Sequence, residues 1–174
     1  MWRQSGGWRY GSERCAVTDI NTFLDEAIAL AFDNIDQGGR PFGAVVVKDG
    51  EIIARGVNRM QADNDPTAHA ELLALRAAGR ALNAPRLDGC SVYASGQPCP
   101  MCLAAMRMAG IKEIFFAYSN EQADPFGLST AGISAELSQP LEEQSWASIK
   151  HMPRQADKAP HLYEVWATHS SSQK

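Results

Sequence analysis

The chain of 174 residues is 45% hydrophobic and 21% charged, an ordinary balance for one globular domain with a core of its own. Its formal net charge of -4 gives no basic surface that would attract nucleic acid or an anionic membrane by charge alone. No apolar run is long enough to span a bilayer and the first residues lack the apolar core of a secretory signal, so we expect a cytoplasmic protein without membrane contact.

The first half of the sequence predicts an extension, a helix and a hairpin. Residues 1–14 are rich in Gly, Ser, Arg and Trp without periodicity, so we expect them to be a flexible extension of a single domain formed by residues 15–174. From Asp19 onwards apolar residues recur at helical spacing until the sequence QGGRP ends the pattern. The stretch GAVVVKDGEIIARGV then predicts two antiparallel strands joined by a tight turn at Asp49 and Gly50.

Two alanine-rich helices and two further strands are predicted after this hairpin. NDPTAHAELLALRAAGRAL indicates a helix that Thr67 caps and that ends near Leu82. CSVYAS predicts a strand, PMCLAAMRMAG a helix between Pro100 and Gly110, and KEIFFAY another strand. The pattern then weakens, although residues 159–168 predict a last amphipathic helix. This alternation favours an α/β fold with a mixed sheet and helices on both faces.

Two of the predicted helix starts carry side chains suited to chemistry. PTAHAE places His69 two residues before Glu71, and PCPMC places Cys99 three residues before Cys102. A catalytic zinc ion takes three nitrogen or sulfur ligands and leaves one position open, and His69, Cys99 and Cys102 supply that set. Cysteines three apart in a first helical turn can face one point, where the positive helix end favours their thiolate forms. Glu71 is then placed to act as a proton carrier.

Each motif alone has an ordinary explanation. A single CxxC pair can be a disulfide, a redox pair, half of a structural zinc site, or two ligands of a catalytic metal. A structural zinc site would need a fourth ligand, for which Cys15, Cys90 and His151 are the candidates. A Glu in a first helical turn is favoured simply by the helix dipole. Together, however, HxE at one helix start and PCxxC at the next form the signature of zinc deaminases that act on bases.

The stretches PFGAVVVKDGEIIARGVN, NDPTAHAELLALRAAG and PCPMCLAAM resemble the cytidine and deoxycytidylate deaminase superfamily, and within it the branch of guanine deaminases and tRNA adenosine deaminases. The resemblance covers about residues 19–118. It implies a three-layer α/β/α sandwich with a mixed five-stranded sheet, one Zn2+ per subunit and a homodimer. It also implies that His69, Cys99 and Cys102 hold the zinc, while Glu71 carries a proton from zinc-bound water to the ring and then to the leaving ammonia.

The resemblance implies a zinc-dependent hydrolytic deaminase of a free nucleobase or related aminated heterocycle, most similar to guanine deaminases. The resemblance implies that Asn58 hydrogen-bonds the base and that Phe42 packs on its face. The full set of implied substrate contacts is Asn58, Phe42, Ala70, Gln97, Ser129 and Thr130. Gln97 stands where a glutamate is usual, and Ser129 and Thr130 stand where an acidic pair binds the amino group of guanine.

These departures leave other substrates open. A neutral hydroxyl binds an N–H group more weakly than a carboxylate does, so cytosine, a pterin or a triazine stays an alternative to guanine. A tRNA adenosine deaminase would share the site but would need a basic surface for the phosphates. We therefore expect a small heterocycle as the substrate and no nucleic acid partner.

Overall fold

The computed structural model describes residues 17–153 and 161–171. The predicted extension, Cys15 and the first residues of the predicted last helix lie outside these ranges. The chain divides into two compact units, with the boundary between Ser138 and Gln139. The first unit contains α1 (Val17–Asp36), β1 (Gly43–Lys48), β2 (Glu51–Val57), α2 (Met60–Asp63), α3 (Ala70–Leu82), β3 (Cys90–Gly96), α4 (Pro100–Ala109), β4 (Glu113–Tyr118), α5 (Asn120–Ala123), a 3-10 turn (Asp124–Phe126) and α6 (Ala131–Leu137), and the second contains a 3-10 turn (Leu141–Glu143) and α7 (Leu162–Ser171).

Four strands form one mixed sheet in the order β2-β1-β3-β4. β1 pairs antiparallel with β2 and β3, and β3 pairs parallel with β4. The predicted α/β class with a mixed sheet is confirmed, but the expectation of five strands is wrong for the described residues. After Tyr118 the chain forms the short helices α5 and α6, because this segment has no alternating run of β-branched residues that would favour a strand.

Helices cover both faces of the sheet, because the two central strands are apolar on both sides. Alternate residues of each central strand point to opposite faces. On the first face, Val45, Val47 and Tyr93 pack against Phe23 of α1. On the second face the core joins the sheet to α3 and α4 and includes Ala44, Val46, Val92, Ala94, Ala74, Leu75, Cys102 and Met106.

The local predictions hold in two places and fail in one. Asp49 and Gly50 have φ values of 51° and 80° and close the hairpin, as predicted. Helix α7 confirms the described part of the predicted last helix. Helix α3 begins two residues later than predicted, because His69 and not Thr67 occupies its N-cap position. Thr67 instead donates its hydroxyl and its backbone N–H to Oδ1 of Asp65, at 2.7 and 2.8 Å.

The strand directions bring four segments to one edge of the sheet. β1 begins at this edge with Gly43, which pairs with Val57 at the end of β2. β3 and β4 end at the same edge with Gly96 and Tyr118, which pair with each other. The residues just before β1 and just after β2, β3 and β4 are therefore neighbours. Among the described helices, none is both long and apolar enough to cross a membrane.

Two glycines allow the helices to approach the β1–β2 hairpin closely. A Cβ atom at Gly43 would lie 2.9 Å from the backbone nitrogen of Ala31 in α1. A Cβ atom at Gly56 would overlap the carbonyl oxygen of Ala70 and lie 2.6 Å from the backbone nitrogen of Ala74 in α3. A side chain at Gly56 would therefore push directly on the first turn of α3.

We expect Gly56→Ala to lower the free energy of unfolding by about 1–3 kcal/mol, the usual cost of overpacking. The added methyl group meets helix backbone, which cannot move without moving α3 as a whole. Thermal or denaturant unfolding measures the change. Gly132→Ala is the matched control, because a Cβ at Gly132 in α6 meets nothing within 4 Å. Unfolding curves for Gly56→Ala that match the wild type would contradict the close approach.

Candidate metal centre and active site

Three ligand atoms meet at the sheet edge where α3 and α4 begin. Nδ1 of His69 lies 3.6 Å from Sγ of both Cys99 and Cys102, and the two sulfur atoms are 3.5 Å apart. With ordinary zinc–sulfur and zinc–nitrogen bond lengths, a tetrahedral site has ligand separations of about 3.6 Å between N and S and about 3.8 Å between sulfurs. The three side chains are thus positioned to bind a metal ion.

The first turns of two helices present these ligands. His69 and Cys99 are the N-cap residues of α3 and α4, and both have an extended backbone. Pro100 follows at the first helical position, where the missing N–H costs nothing. Cys102 lies in the same first turn and is fully buried. Both positive helix ends face the ligand group, which favours negatively charged sulfur.

Hydrogen bonds within the ligand group shift the pKa values of its two thiols in opposite directions. The pKa of Cys99 is lowered to about 4, because its sulfur is hydrogen-bonded with the thiol of Cys102 and with His69. The pKa of Cys102 is raised, because its proton is held by Cys99 and the side chain is buried. The bond to Cys99 raises the pKa of His69. A metal ion bound by all three side chains must therefore displace the proton of Cys102.

Glu71 lies beside the ligand group and is only 7% exposed. Burial raises the pKa of its carboxyl group, opposed by a hydrogen bond from its own backbone N–H. The carboxyl group also interacts with the thiol of Cys102. Among the described residues, no Lys or Arg forms an ion pair with it. A buried carboxyl group in these surroundings is suited to accept and release a proton.

The alternatives to a catalytic metal site find little support in the described residues. No fourth His, Cys, Asp or Glu side chain of those residues joins the ligand group. Cys90 is packed in the core, and burial raises its pKa. His151 belongs to the second unit, and Cys15 is not described. The 3.5 Å between the sulfurs of Cys99 and Cys102 is a contact between free thiols and not a disulfide.

Asn58 and Phe42, two predicted substrate contacts, lie side by side at the sheet edge. The backbone N–H of Asn58 donates to the carbonyl oxygen of Phe42 at 3.0 Å. Oδ1 of Asn58 accepts from the backbone N–H of Met60 at 3.3 Å. The amide nitrogen of Asn58 then has no acceptor among the described residues, so it is available to a ligand. The ring of Phe42 packs over Gly96, where a Cβ would lie 3.0 Å from it.

Gln97 and Thr130 are connected through Asn120, a residue that the sequence analysis missed. Oε1 of Gln97 accepts from the backbone N–H of Asn120 at 3.0 Å. Oδ1 of Asn120 accepts from the backbone N–H and the hydroxyl of Thr130, at 3.0 and 3.3 Å. Ser129 Oγ accepts from the backbone N–H of Ala131 at 3.3 Å, where α6 begins. No motif in the sequence marks Asn120, because its role depends on contacts between distant segments.

Two cavities lie near the predicted substrate contacts. A largely apolar cavity of about 520 Å³ is lined by Phe42 and Gln97, together with residues of α1 and of the segment after β4. A more polar cavity of about 330 Å³ includes Asn58. Neither of these two cavities is lined by Ser129 or Thr130. Ala70, next to His69, is buried as the first residue of α3.

The sequence and the fold of this chain are similar to those of known deaminases. The chain is 46% identical over 125 residues to the guanine deaminase of Bacillus subtilis (strain 168), a match that covers 71% of this chain and 80% of that protein. It is 41% identical over 95 residues to the tRNA-specific adenosine deaminase of Aquifex aeolicus (strain VF5), covering 55% of this chain and 63% of the relative. The X-ray structure of guanine deaminase from Bacillus subtilis aligns with a TM-score of 0.74 at 40% identity, over 86% of this chain and 93% of that chain.

The family match includes every residue of the ligand group. Residues 17–118 match the family described as the cytidine and deoxycytidylate deaminase zinc-binding region. His69, Glu71, Cys99 and Cys102 all lie within these residues. Because the match extends over more than half of the chain and the ligand atoms have the separations that zinc requires, the chain belongs to the cytidine and deoxycytidylate deaminase family.

Proposed function

We propose that this chain is a zinc-dependent hydrolase that deaminates a free aminated heterocycle, with guanine as the reference substrate. The observation that carries the proposal is the buried carboxyl group of Glu71 beside three side chains positioned to bind a metal ion. A purely structural metal site has no use for such a carboxyl group, whereas hydrolytic deamination requires a proton carrier. The 46% identity to a guanine deaminase supports a free base as the substrate.

The reaction replaces an amino group by an oxygen atom and consumes one water molecule. A zinc ion held by His69, Cys99 and Cys102 supplies Lewis acidity that brings the pKa of water close to neutrality. Glu71 takes one proton from the attacking water at a carboxylate oxygen and gives it to the ring nitrogen beside the carbon under attack. Glu71 then takes the second proton from the oxygen now bonded to that carbon and passes it to the amino nitrogen. The bond from carbon to the amino nitrogen breaks, ammonia leaves, and the carbon keeps the oxygen as a carbonyl group.

The residues around this centre are proposed to hold the base in place. The amide nitrogen of Asn58 donates to an acceptor on the ring edge, and the ring of Phe42 packs on one face of the base. Ala70 lies against the base next to the ligand His69. Gln97, which lines the apolar cavity, reads the remaining edge with a neutral amide, whereas Ser129 and Thr130 line neither cavity and Thr130 is connected to the apolar cavity through Asn120. Neutral groups discriminate less strongly than carboxylates, so we propose that guanine is one of several accepted heterocycles.

A tRNA adenosine deaminase is the second candidate, and the 41% identity to such an enzyme over 95 residues favours it. The net charge of -4 argues against it, because tRNA phosphates require a basic surface. The homodimer implied by the family resemblance, the cytoplasmic location and the single domain of residues 15–174 stay predictions.

Purified protein is expected to hold one zinc ion per chain, and His69→Ala and Cys99→Ala are expected to lose it. Three ligands are the usual minimum for a catalytic zinc site, so removing one weakens binding severely. Elemental analysis after dialysis measures the zinc content. Cys90→Ser is the control, because Cys90 is a buried cysteine outside the ligand group. Equal loss of zinc from Cys90→Ser and Cys99→Ala would favour a structural site.

Glu71→Gln is expected to keep its zinc and to lower kcat for guanine by about 10²–10⁴-fold. Glutamine has nearly the same shape as glutamate but cannot carry the proton. Ammonia release measures the rate. Glu113→Gln, at an exposed position of β4, removes the same charge and should leave the rate unchanged. Full activity of zinc-loaded Glu71→Gln would remove Glu71 from the mechanism.

Free heterocycles are expected to be deaminated, whereas tRNA is expected to bind only weakly. The chain has a formal net charge of -4, so it attracts phosphates only weakly. Ammonia release from guanine, adenine, cytosine, a pterin and an aminotriazine identifies the substrate, and tRNA binding is measured at several salt concentrations. Tight tRNA binding that weakens steeply as salt rises would support the second candidate instead.

A further inference from the structure

Arg40 differs from every other arginine that the structure describes. Its side chain is half-buried, and among the described residues no carboxylate lies within ion-pair distance of it. The other described arginines are exposed, and four of them form ion pairs with acidic side chains: Arg55, Arg59, Arg76 and Arg86. Arg40 is therefore a partly buried arginine whose charge no described acidic side chain neutralises.

The guanidinium group of Arg40 lies among the proposed substrate contacts. It is 5.8 Å from the ring centroid of Phe42, over the ring face. It lines the polar cavity of about 330 Å³ together with Asn58. Its charge also reaches the metal group, where it lowers the pKa of His69 against the stronger effect of Cys99. Arg40 thus lies beside Phe42 and lines a cavity with Asn58, and these are two of the groups proposed to contact the base.

Buried Asn34 fixes the backbone at this position. Its amide nitrogen donates to the carbonyl oxygen of Arg40 at 2.7 Å and to that of Asn58 at 2.9 Å. The backbone carbonyl oxygen of Asn34 accepts from the backbone N–H of Gly39 at 2.7 Å. Asn34 is 7% exposed, so these bonds face little competition from water. The loop before β1 is therefore tied to the segment after β2, which keeps the backbone of Arg40 close to that of Asn58.

Most donors of the Arg40 guanidinium group have no acceptor among the described residues. A guanidinium group offers five N–H donors, and the contact made by Arg40 is from Nη1 to the sulfur of Met60 at 3.9 Å, a weak acceptor. The neighbouring Arg59 already binds both carboxylate oxygens of Asp63, at 2.8 and 3.0 Å. One available guanidinium suits a single negative charge, whereas a phosphate dianion is usually bound by several donors.

We propose that Arg40 is a specificity-determining residue that favours heterocycles carrying one negative charge on the ring edge beside Asn58. This inference rests on the proposed function, because it uses the same site and the same orientation of the base. Arg40 contributes a hydrogen bond to the charged edge and takes no part in proton transfer. The substrate class is therefore an aminated heterocycle with an acidic ring N–H, such as an oxo-triazine or an azapurine.

The test compares the equilibrium binding of guanine and 8-azaguanine at one mildly alkaline pH, by calorimetry on the zinc-loaded Glu71→Gln protein. The two compounds have nearly the same shape, but the triazole ring of 8-azaguanine loses its proton near neutral pH, while guanine stays neutral. We expect Arg40→Gln to weaken the binding of 8-azaguanine by about tenfold or more and to change that of guanine much less. Arg40→Lys, which keeps the charge, is expected to keep part of the preference.

Arg107→Gln is the matched control, because Arg107 is an exposed arginine of α4 outside both cavities and forms no ion pair with a described residue. Thermal unfolding and zinc content identify any variant that fails to fold. If Arg40→Gln fails to fold, the preference of Arg40→Lys for 8-azaguanine over guanine decides instead. An equal loss of both compounds in Arg40→Gln, or the same selective loss in Arg107→Gln, would overturn the proposal. A larger loss for guanosine monophosphate than for 8-azaguanine would overturn it in favour of phosphate binding.

This design separates the inference from the proposed function. If the protein with Glu71 intact releases no ammonia from any heterocycle, the proposed function fails. The binding comparison gives its result without turnover, so it still decides whether Arg40 selects a charged edge.

Discussion

The active centre depends on two helix N-termini that meet at one edge of the sheet. The ligands His69 and Cys99 come from segments thirty residues apart, yet their ligand atoms are 3.6 Å apart. The β3-α4-β4 crossover places one helix start, and the packing of α3 on the β1–β2 hairpin places the other. Because Gly56 lets α3 lie against strand backbone, the position of His69 follows from the core and not from its own loop.

The same convergence brings several negative groups into a small buried volume. Two cysteine sulfurs and the carboxyl group of Glu71 lie together, and burying such charges without compensation is expensive. The hydrogen bond between Cys99 and Cys102 keeps one of the two thiols protonated, which reduces this charge. The positive ends of α3 and α4 offset part of the remaining charge. A bound divalent cation would therefore neutralise this buried negative charge as well as supply the chemistry of the centre.

The parts of the site that follow from local sequence were predictable, and the parts that depend on distant contacts were not. HxE and PCxxC predict the ligand set because each motif lies within a single helix start. The turn at Asp49 is predictable for the same reason. The expectation of five strands came from the resemblance, and it was wrong for the described residues, where four segments have strand character and pair in the sheet. The bonds of Asn34 and Asn120 join segments far apart in the chain, and no local pattern indicates them.

The metal ligands and three of the proposed substrate contacts lie on different segments. The ligands belong to the starts of α3 and α4, whereas Arg40 and Phe42 precede β1, and Asn58 follows β2. A change in the loop before β1 can therefore alter which base is preferred while the ligand geometry stays intact. During evolution, substrate preference can drift in this architecture through single replacements, without passing through a form that has lost its metal.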